Sequence, residues 1–68
     1  MGYNQEAIDD YNKAIELNPD FANAYYNRGI SKRTLDDTTG ALQDYQRAAD
    51  LYEQQGDTER YQNALEQI

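Results

Sequence analysis

Apolar residues recur at helical spacing in four stretches of the 68-residue sequence, and short polar breaks separate the stretches. Recurrence at every third or fourth position is typical of helices that bury one face. The pattern therefore predicts an all-α chain, with helices from about 4 to 18, 21 to 34 or 35, 38 to 55, and 57 to 68.

The breaks carry residues that end one helix and begin the next. Pro19 disfavours helical geometry in the residue before it, so the first helix should stop at Leu17 or Asn18. Gly56 suits the end of the third helix. Side chains that can accept from free backbone amides follow each break, and we expect N-caps at Asp20, at Asp37 or Thr38, and at Asp57 or Thr58.

Two segments of the chain, Ala7–Leu17 and Ala41–Leu51, are nearly the same sequence placed 34 positions apart. Their identical pairs are Ala7/Ala41, Asp10/Asp44, Tyr11/Tyr45, Ala14/Ala48 and Leu17/Leu51. A fixed period of this length is the signature of a helical repeat. The stretch between the two segments, Asp20–Leu35, is then a helix held between two copies of its partner.

The central unit reads Tyr25-x-x-Arg28-Gly29-x-x-Lys32 and then Ala41-x-x-x-Tyr45, and the earlier half-unit gives Ala7-x-x-x-Tyr11 with Pro19 in register. These residues resemble the tetratricopeptide repeat, whose pattern is W-x-x-L-G-x-x-Y, A-x-x-x-F and P. The likeness covers residues 4 to 52 and looks like that of a bacterial member. The sequence departs from the pattern at Lys32 (an aromatic in the family), Asp36 (a turn glycine) and Glu53 (the proline).

The resemblance implies an antiparallel helix-turn-helix repeat array, a fragment of an α-solenoid with four helices in one domain, 1–68. Residues 4–18 would be the second helix of a partial repeat, and 20–55 would form one full repeat. Residues 57–68 would form a capping helix, because its apolar residues lie on one narrow face. Gly29 against Ala41 would let the two helices of the full repeat pack closely.

Family members generally bind peptides or partner proteins in a groove lined by the first helix of each unit. Carried over to this sequence, the groove residues are Asn23, Tyr26, Asn27, Ile30 and Arg33. The chemistry suits peptide binding, because an amide offers both a donor and an acceptor, and an arginine can hold a carboxylate with two hydrogen bonds.

The first helix would also have a face that an upstream helix of a longer array would cover. That face, involving Tyr3, Ile8 or Tyr11, is expected to be open, and an exposed apolar patch is normally a contact site. We therefore expect a homo-oligomer, with a dimer as the simplest form. The turn at 36–39 lacks glycine and proline at its centre, so it could straighten and allow two copies to exchange helices.

Composition limits which classes of partner and which kinds of chemistry are expected. The chain has no cysteine and no histidine, and its net charge is −7. Nucleic acids and anionic membranes attract basic faces, so neither is expected as a partner. No metal-ligand spacing, phosphate loop or nucleophile–base pair occurs, so we expect no metal, no cofactor and no catalytic residue. Tyr11, Tyr45 and Tyr61 fall on apolar stripes, which favours core packing over a stacking surface for bases. The lack of cysteine is compatible with the cytoplasm.

These observations predict a non-enzymatic module that binds a peptide or partner protein and associates with itself. The alternative is a purely structural fragment, or an engineered minimal repeat scaffold, that forms a homo-oligomer and has no external ligand. An enzyme would need partner domains outside these residues. The sequence leaves open the ligand, the parent protein and the oligomeric state.

Overall fold

Over residues 3–68, four α-helices follow one another, each joined to the next by a short turn. The computed structural model describes residues 3–68, and the side chain of Tyr3 lies outside the described part. The helices are α1 (Tyr3–Leu17), α2 (Ala22–Thr34), α3 (Thr38–Gln54) and α4 (Thr58–Glu66). Each helix packs against its neighbours in sequence, α1 on α2, α2 on α3 and α3 on α4. The predicted all-α helix-turn-helix array is confirmed.

The start of α2 differs from the sequence prediction. The N-cap residue is Phe21, not Asp20, and no side chain caps the helix. The reason lies in the turn around Pro19: the Asn18 side chain accepts from the Asp20 amide (3.2 Å), and the Asn18 carbonyl accepts from the Phe21 amide (3.0 Å). Asp20 is therefore part of the turn, and the helix begins after Phe21.

The other two caps follow the prediction. Asp37 accepts from the Gly40 amide at 3.0 Å, and Asp57 accepts from the Arg60 amide at 3.2 Å. Each side chain satisfies one of the amides that a helix leaves free at its N-terminus. These two aspartates fix where α3 and α4 begin.

The ends of α2 and α3 share one geometry. After α2 the Asp37 amide donates to the Lys32 carbonyl, and after α3 the Asp57 amide donates to the Tyr52 carbonyl. Such a closing bond requires a residue with positive φ just before the donor. Gly56 fills that place after α3 with φ 74°, whereas Asp36 fills it after α2 with φ 66°. Asp36 thus holds a left-handed conformation that costs a non-glycine residue about 1–2 kcal/mol.

The core is built from small residues and tyrosines around α3. Tyr45 and Leu51 are the largest fully buried side chains. The cluster that joins α3 to its neighbours consists of Ala22, Ala48, Ala49, Leu51, Tyr52 and Ala64. Tyr25, Tyr26 and Tyr61 pack against this cluster while partly buried. The alanines bring the helix backbones together, and the tyrosine rings fill the space between them.

At Gly29 the backbone of α2 lies close against α3. A Cβ atom placed on this residue would lie 3.0 Å from Cε1 of Tyr45 and 3.3 Å from the carbonyl oxygen of Ala41. Almost no room for a side chain exists there, so glycine is needed despite a cost of about 1 kcal/mol against alanine within a helix. The predicted close packing of Gly29 against Ala41 is confirmed.

A buried carboxylate links three of the helices. Asp44, only 4% exposed, accepts from Nε and Nη2 of Arg28 at 2.9 and 2.7 Å and lies 3.2 Å from Nζ of Lys32. Arg28 also donates to Oδ1 of Asn12 on α1 at 2.8 Å. The hydrogen bond to Asp44 raises the pKa of Arg28 above its ordinary value. Lys32, which departs from the family pattern, therefore serves as a second cation for Asp44.

We predict that Gly29→Leu lowers the free energy of unfolding by about 1–3 kcal/mol, because the new side chain must push Tyr45 and α3 away. Urea denaturation followed by circular dichroism measures the change. Asn27→Leu on the exposed side of the same helix is the matched control and should change stability by about 0.5 kcal/mol or less. Equal stability of Gly29→Leu and the parent chain would contradict close packing at this point.

We also predict that Asp44→Asn destabilises the chain by roughly 3 kcal/mol, because it leaves Arg28 and Lys32 partly buried without a counter-charge. The chain itself supplies the control: Asp10 occupies the same repeat position but is exposed, so Asp10→Asn should have an effect within about 0.5 kcal/mol. Similar unfolding midpoints for the two variants would refute a structural role for the ion pairs.

Candidate functional site

The five groove residues predicted on α2 lie on one side of the helix. Four of them are exposed, namely Asn23, Asn27, Ile30 and Arg33, and Tyr26 is half-buried. The α4 region faces both ends of this row: Asn23 and Tyr26 line a cavity together with Arg60 and Asn63 of α4, and Arg33 bonds to Gln67, the C-cap residue of α4. The row of side chains therefore borders a trough between α2 and α4.

The floor of the trough is α3, and cavities lie along its length. A cavity of about 150 Å³ is lined by Asn23, Tyr26, Tyr52, Arg60 and Asn63. A larger one, about 280 Å³, adjoins it at the start of α2 and shares Asn23, Tyr52 and Arg60. The third, about 210 Å³, lies at the other end and is lined by Arg33, Thr38, Ala41, Leu42, Tyr45, Gln67 and Ile68.

Asn23 is already bound within the chain. The hydroxyl of Tyr52 on the floor donates a hydrogen bond to Oδ1 of Asn23. Burial raises the pKa of Tyr52, so its hydroxyl stays protonated and able to donate at neutral pH. The oxygen of Asn23 is occupied, and its amide group remains as a donor toward the trough.

Arg33 is held in place at the far end of the trough. Its Nη1 donates to Oε1 of Gln67 at 2.8 Å, and its guanidinium carbon lies 5.5 Å from the centre of the Tyr45 ring. Tyr26 meets the same ring edge-on, with ring centres 5.5 Å apart. A cation over an aromatic face is attracted by the ring, which orders the arginine while its other nitrogens stay available.

Asn27 and Ile30 lie between the ends of the trough and border none of the three cavities. Within the described part of the chain the Asn27 side chain makes no hydrogen bond, and Ile30 is 38% exposed. Asn27 therefore offers a complete amide, donor and acceptor, to a bound chain. Ile30 offers an apolar contact beside it.

The sequence analysis did not identify the wall that α4 contributes. Arg60 and Asn63 face Asn23 across the smaller cavity, and Gln67 faces Arg33. Arg60 is also bonded to Asp57 at 2.7 Å, and this hydrogen bond holds the pKa of the Asp57 carboxyl below its ordinary value. The i, i+3, i+7 spacing of Arg60, Asn63 and Gln67 is the sequence signal that could have revealed this polar side of α4.

The residues predicted as oligomer contacts differ in their exposure to solvent. Ile8 is only 8% exposed, because it packs within the array, so the expectation that it lies on an open face is wrong. Tyr11 is half-buried, and the side chain of Tyr3 is outside the described part. A role of Tyr11 or Tyr3 in self-association stays a prediction.

Among residues 3–68, no group of three or more histidine, cysteine, aspartate or glutamate side chains is arranged to hold a metal ion. None of the helices in residues 3–68 has the length and apolar character needed to cross a bilayer.

Comparison with known proteins identifies the repeat. A family model described as tetratricopeptide repeat matches residues 22–55, and a second, described as TPR repeat, matches residues 1–32. Over 45 residues the chain is 44% identical to tetratricopeptide repeat protein 36 of Mus musculus and of Danio rerio. The match covers 66% of this chain and 24% of each relative. The chain belongs to the tetratricopeptide repeat family.

Proposed function

We propose that the protein is a non-enzymatic interaction module that binds a segment of another protein in the trough between α2 and α4. Tetratricopeptide repeats generally mediate protein–protein interaction. The observation that carries the proposal is the lining of the trough, where amide side chains alternate with arginines above a tyrosine floor. A cytoplasmic location stays a prediction and rests only on the cysteine-free composition.

The lining matches the chemistry of an extended peptide. Peptide groups present one donor and one acceptor per residue, and the free amide of Asn27 can bond to both. Asn23 and Asn63 add amide groups at the start of the trough. A peptide laid along this wall could exchange its bonds to water for bonds to fixed amides.

The charge at the Arg33 end of the trough favours a partner with carboxylates. The chain as a whole carries −7, yet α2 contains no acid from Ala22 to Thr34, and Arg33 stands at this end, whereas Arg60 at the other end is already paired with Asp57. Arg33, ordered over Tyr45, can exchange its bond to Gln67 for a carboxylate, which binds a guanidinium more strongly than a neutral oxygen does. An acidic side chain or a C-terminal carboxylate would therefore be held near Arg33.

We predict that Asn27→Ala and Arg33→Ala each weaken binding of a peptide selected against this chain by about tenfold or more. Losing the charged hydrogen bond of Arg33 costs about 1.5–3 kcal/mol, and losing the two neutral hydrogen bonds of Asn27 costs about 1–3 kcal/mol, where 1.4 kcal/mol corresponds to a factor of ten. Peptides with acidic residues are selected from a library, and affinities are measured by fluorescence anisotropy. Gln46→Ala and Arg47→Ala, both exposed on α3, are the matched controls.

Two results would contradict the proposal for the trough. One is the absence of any selected binder, as a purely structural module predicts. The other is a selected peptide whose affinity is unchanged in both Asn27→Ala and Arg33→Ala, since the peptide would then bind elsewhere.

A second candidate, self-association by exchange of helices, is favoured by the turn between α2 and α3. Asp36 keeps φ at 66° without being a glycine, so the closed turn is strained. If residues 35–37 became helical, α2 and α3 would form one continuous helix, and each copy could pack its α2 on the α3 of its partner. The same contacts would be made between chains, and the strain at Asp36 would be relieved.

This candidate predicts that Asp36→Gly shifts the chain toward monomer and that Asp36→Ala shifts it toward dimer, because glycine tolerates positive φ and alanine does not. Asp36→Asn removes the charge but tolerates the same conformation, and it should behave as the parent chain. Light scattering over a concentration series gives the masses. Strict monomers for the parent and all three variants at high concentration would rule out the exchange.

A further inference from the structure

One face of α1 carries the same residues as a fully buried face of α3 but is only partly covered. The matching residues are Ala7, Asp10, Tyr11 and Ala14 on α1, and Ala41, Asp44, Tyr45 and Ala48 on α3. On α3 these four are 2%, 4%, 1% and 0% exposed, in that order. On α1 the aspartate is exposed and the other three are half-buried. We call these four residues of α1 the open face.

The way α2 covers the matching face of α3 indicates what kind of helix would fit the open face. Arg28 and Lys32 of α2 neutralise Asp44, and Gly29 between them lets the ring of Tyr45 lie against the α2 backbone. The helix that covers these four residues of α3 therefore carries a basic residue, a glycine, two other residues and a second basic residue, in that order. Within the described part of the chain, Asp10 has no ion pair.

A folded second copy does not supply such a helix. In that copy, the same face of α2 already packs on its own Asp44 and Tyr45. Aligned with α2 at its first residue, α4 places Leu65 where Gly29 stands and Ile68 where Lys32 stands. Leu65 would hold the helix away from Tyr11, and Ile68 would give Asp10 no counter-charge. The α1 of a second copy would bring a second Asp10, which repels the first.

We propose that the open face of α1 is a second binding surface, whose partner is a helix that carries base–Gly–x–x–base on one side. The bases pair with Asp10, and the glycine lies on the ring of Tyr11. Ala7 and Ala14 let the two backbones approach above and below the ring. This surface does not depend on the trough, because none of the side chains that line the trough cavities belongs to α1.

The probe for this surface is a synthetic peptide with the chain's own sequence from Asp20 to Leu35, which contains Arg28, Gly29 and Lys32 in the required order. The labelled peptide is titrated with the full 68-residue chain and binding is followed by anisotropy. We expect saturable binding of one peptide per chain, with at least tenfold weaker binding when the peptide carries Gly29→Leu.

Two charge reversals in the chain separate the proposed contact from general attraction between a basic peptide and an acidic protein. Asp10→Lys should weaken binding at least tenfold. Asp9→Lys makes the same change of net charge at an exposed neighbour whose carboxylate accepts from Gln5, and it should change affinity less than twofold. Both sites are exposed, so both variants should keep the parent's circular dichroism and melting temperature.

Reversing the charges on both partners completes the test. A peptide with Arg28→Glu and Lys32→Glu should bind the Asp10→Lys chain better than it binds the parent chain. Equal loss in Asp9→Lys and Asp10→Lys, or unchanged affinity in Asp10→Lys because the peptide displaces α2 from α3, would overturn the proposal. So would the absence of saturable binding up to about 1 mM peptide, the weak end of specific affinities.

Discussion

The structure depends on how closely α2 approaches α3 at Gly29. With no side chain there, the ring of Tyr45 lies against the α2 backbone and fills the gap between the helices. The same approach brings Arg28 and Lys32, on either side of the glycine, within reach of Asp44. Packing and charge therefore reinforce each other, since neither the ring contact nor the ion pairs could form with the helices further apart.

This contact also prepares the candidate site. Tyr45 lies under Arg33 and beside Tyr26, while Tyr52, further along α3, bonds to Asn23. The side chains that line the trough are thus supported from below by rings of α3. Sites whose side chains are held by packing and hydrogen bonds bind with a smaller entropy cost than mobile ones.

Local patterns in the sequence were sufficient to predict most of the fold. Periodicity predicted four helices, the 34-residue repeat predicted their order, and the resemblance to the family predicted the pairing of Gly29 with Ala41. Asp20 was a plausible cap on propensity alone, but Asn18 formed a competing turn that no propensity scale weighs. The sequence shows that Asp36 stands where the family usually has a turn glycine. It does not show that Asp36 adopts positive φ, because that angle follows from the hydrogen bond that closes the turn.

The site was harder to predict, because its walls come from helices far apart in sequence. The residues of α2 could be carried over from the family, but Arg60 and Asn63 become visible only when α4 is placed beside α2. The role of Asp44 as a buried ion-pair partner could not be predicted for a related reason. A lone acid between Ala41 and Ala48 looks like a solvated residue until Arg28 and Lys32 arrive from another helix.

Packing chiefly between neighbours in sequence has a consequence for how the molecule opens. α1 packs chiefly on α2, and its main polar tie to the rest is the bond between Asn12 and Arg28. In such a one-dimensional array, a terminal element can detach without disturbing the other interfaces. Local opening of α1 therefore costs less than global unfolding, and its amides should exchange with solvent while the α2–α3 pair is still closed.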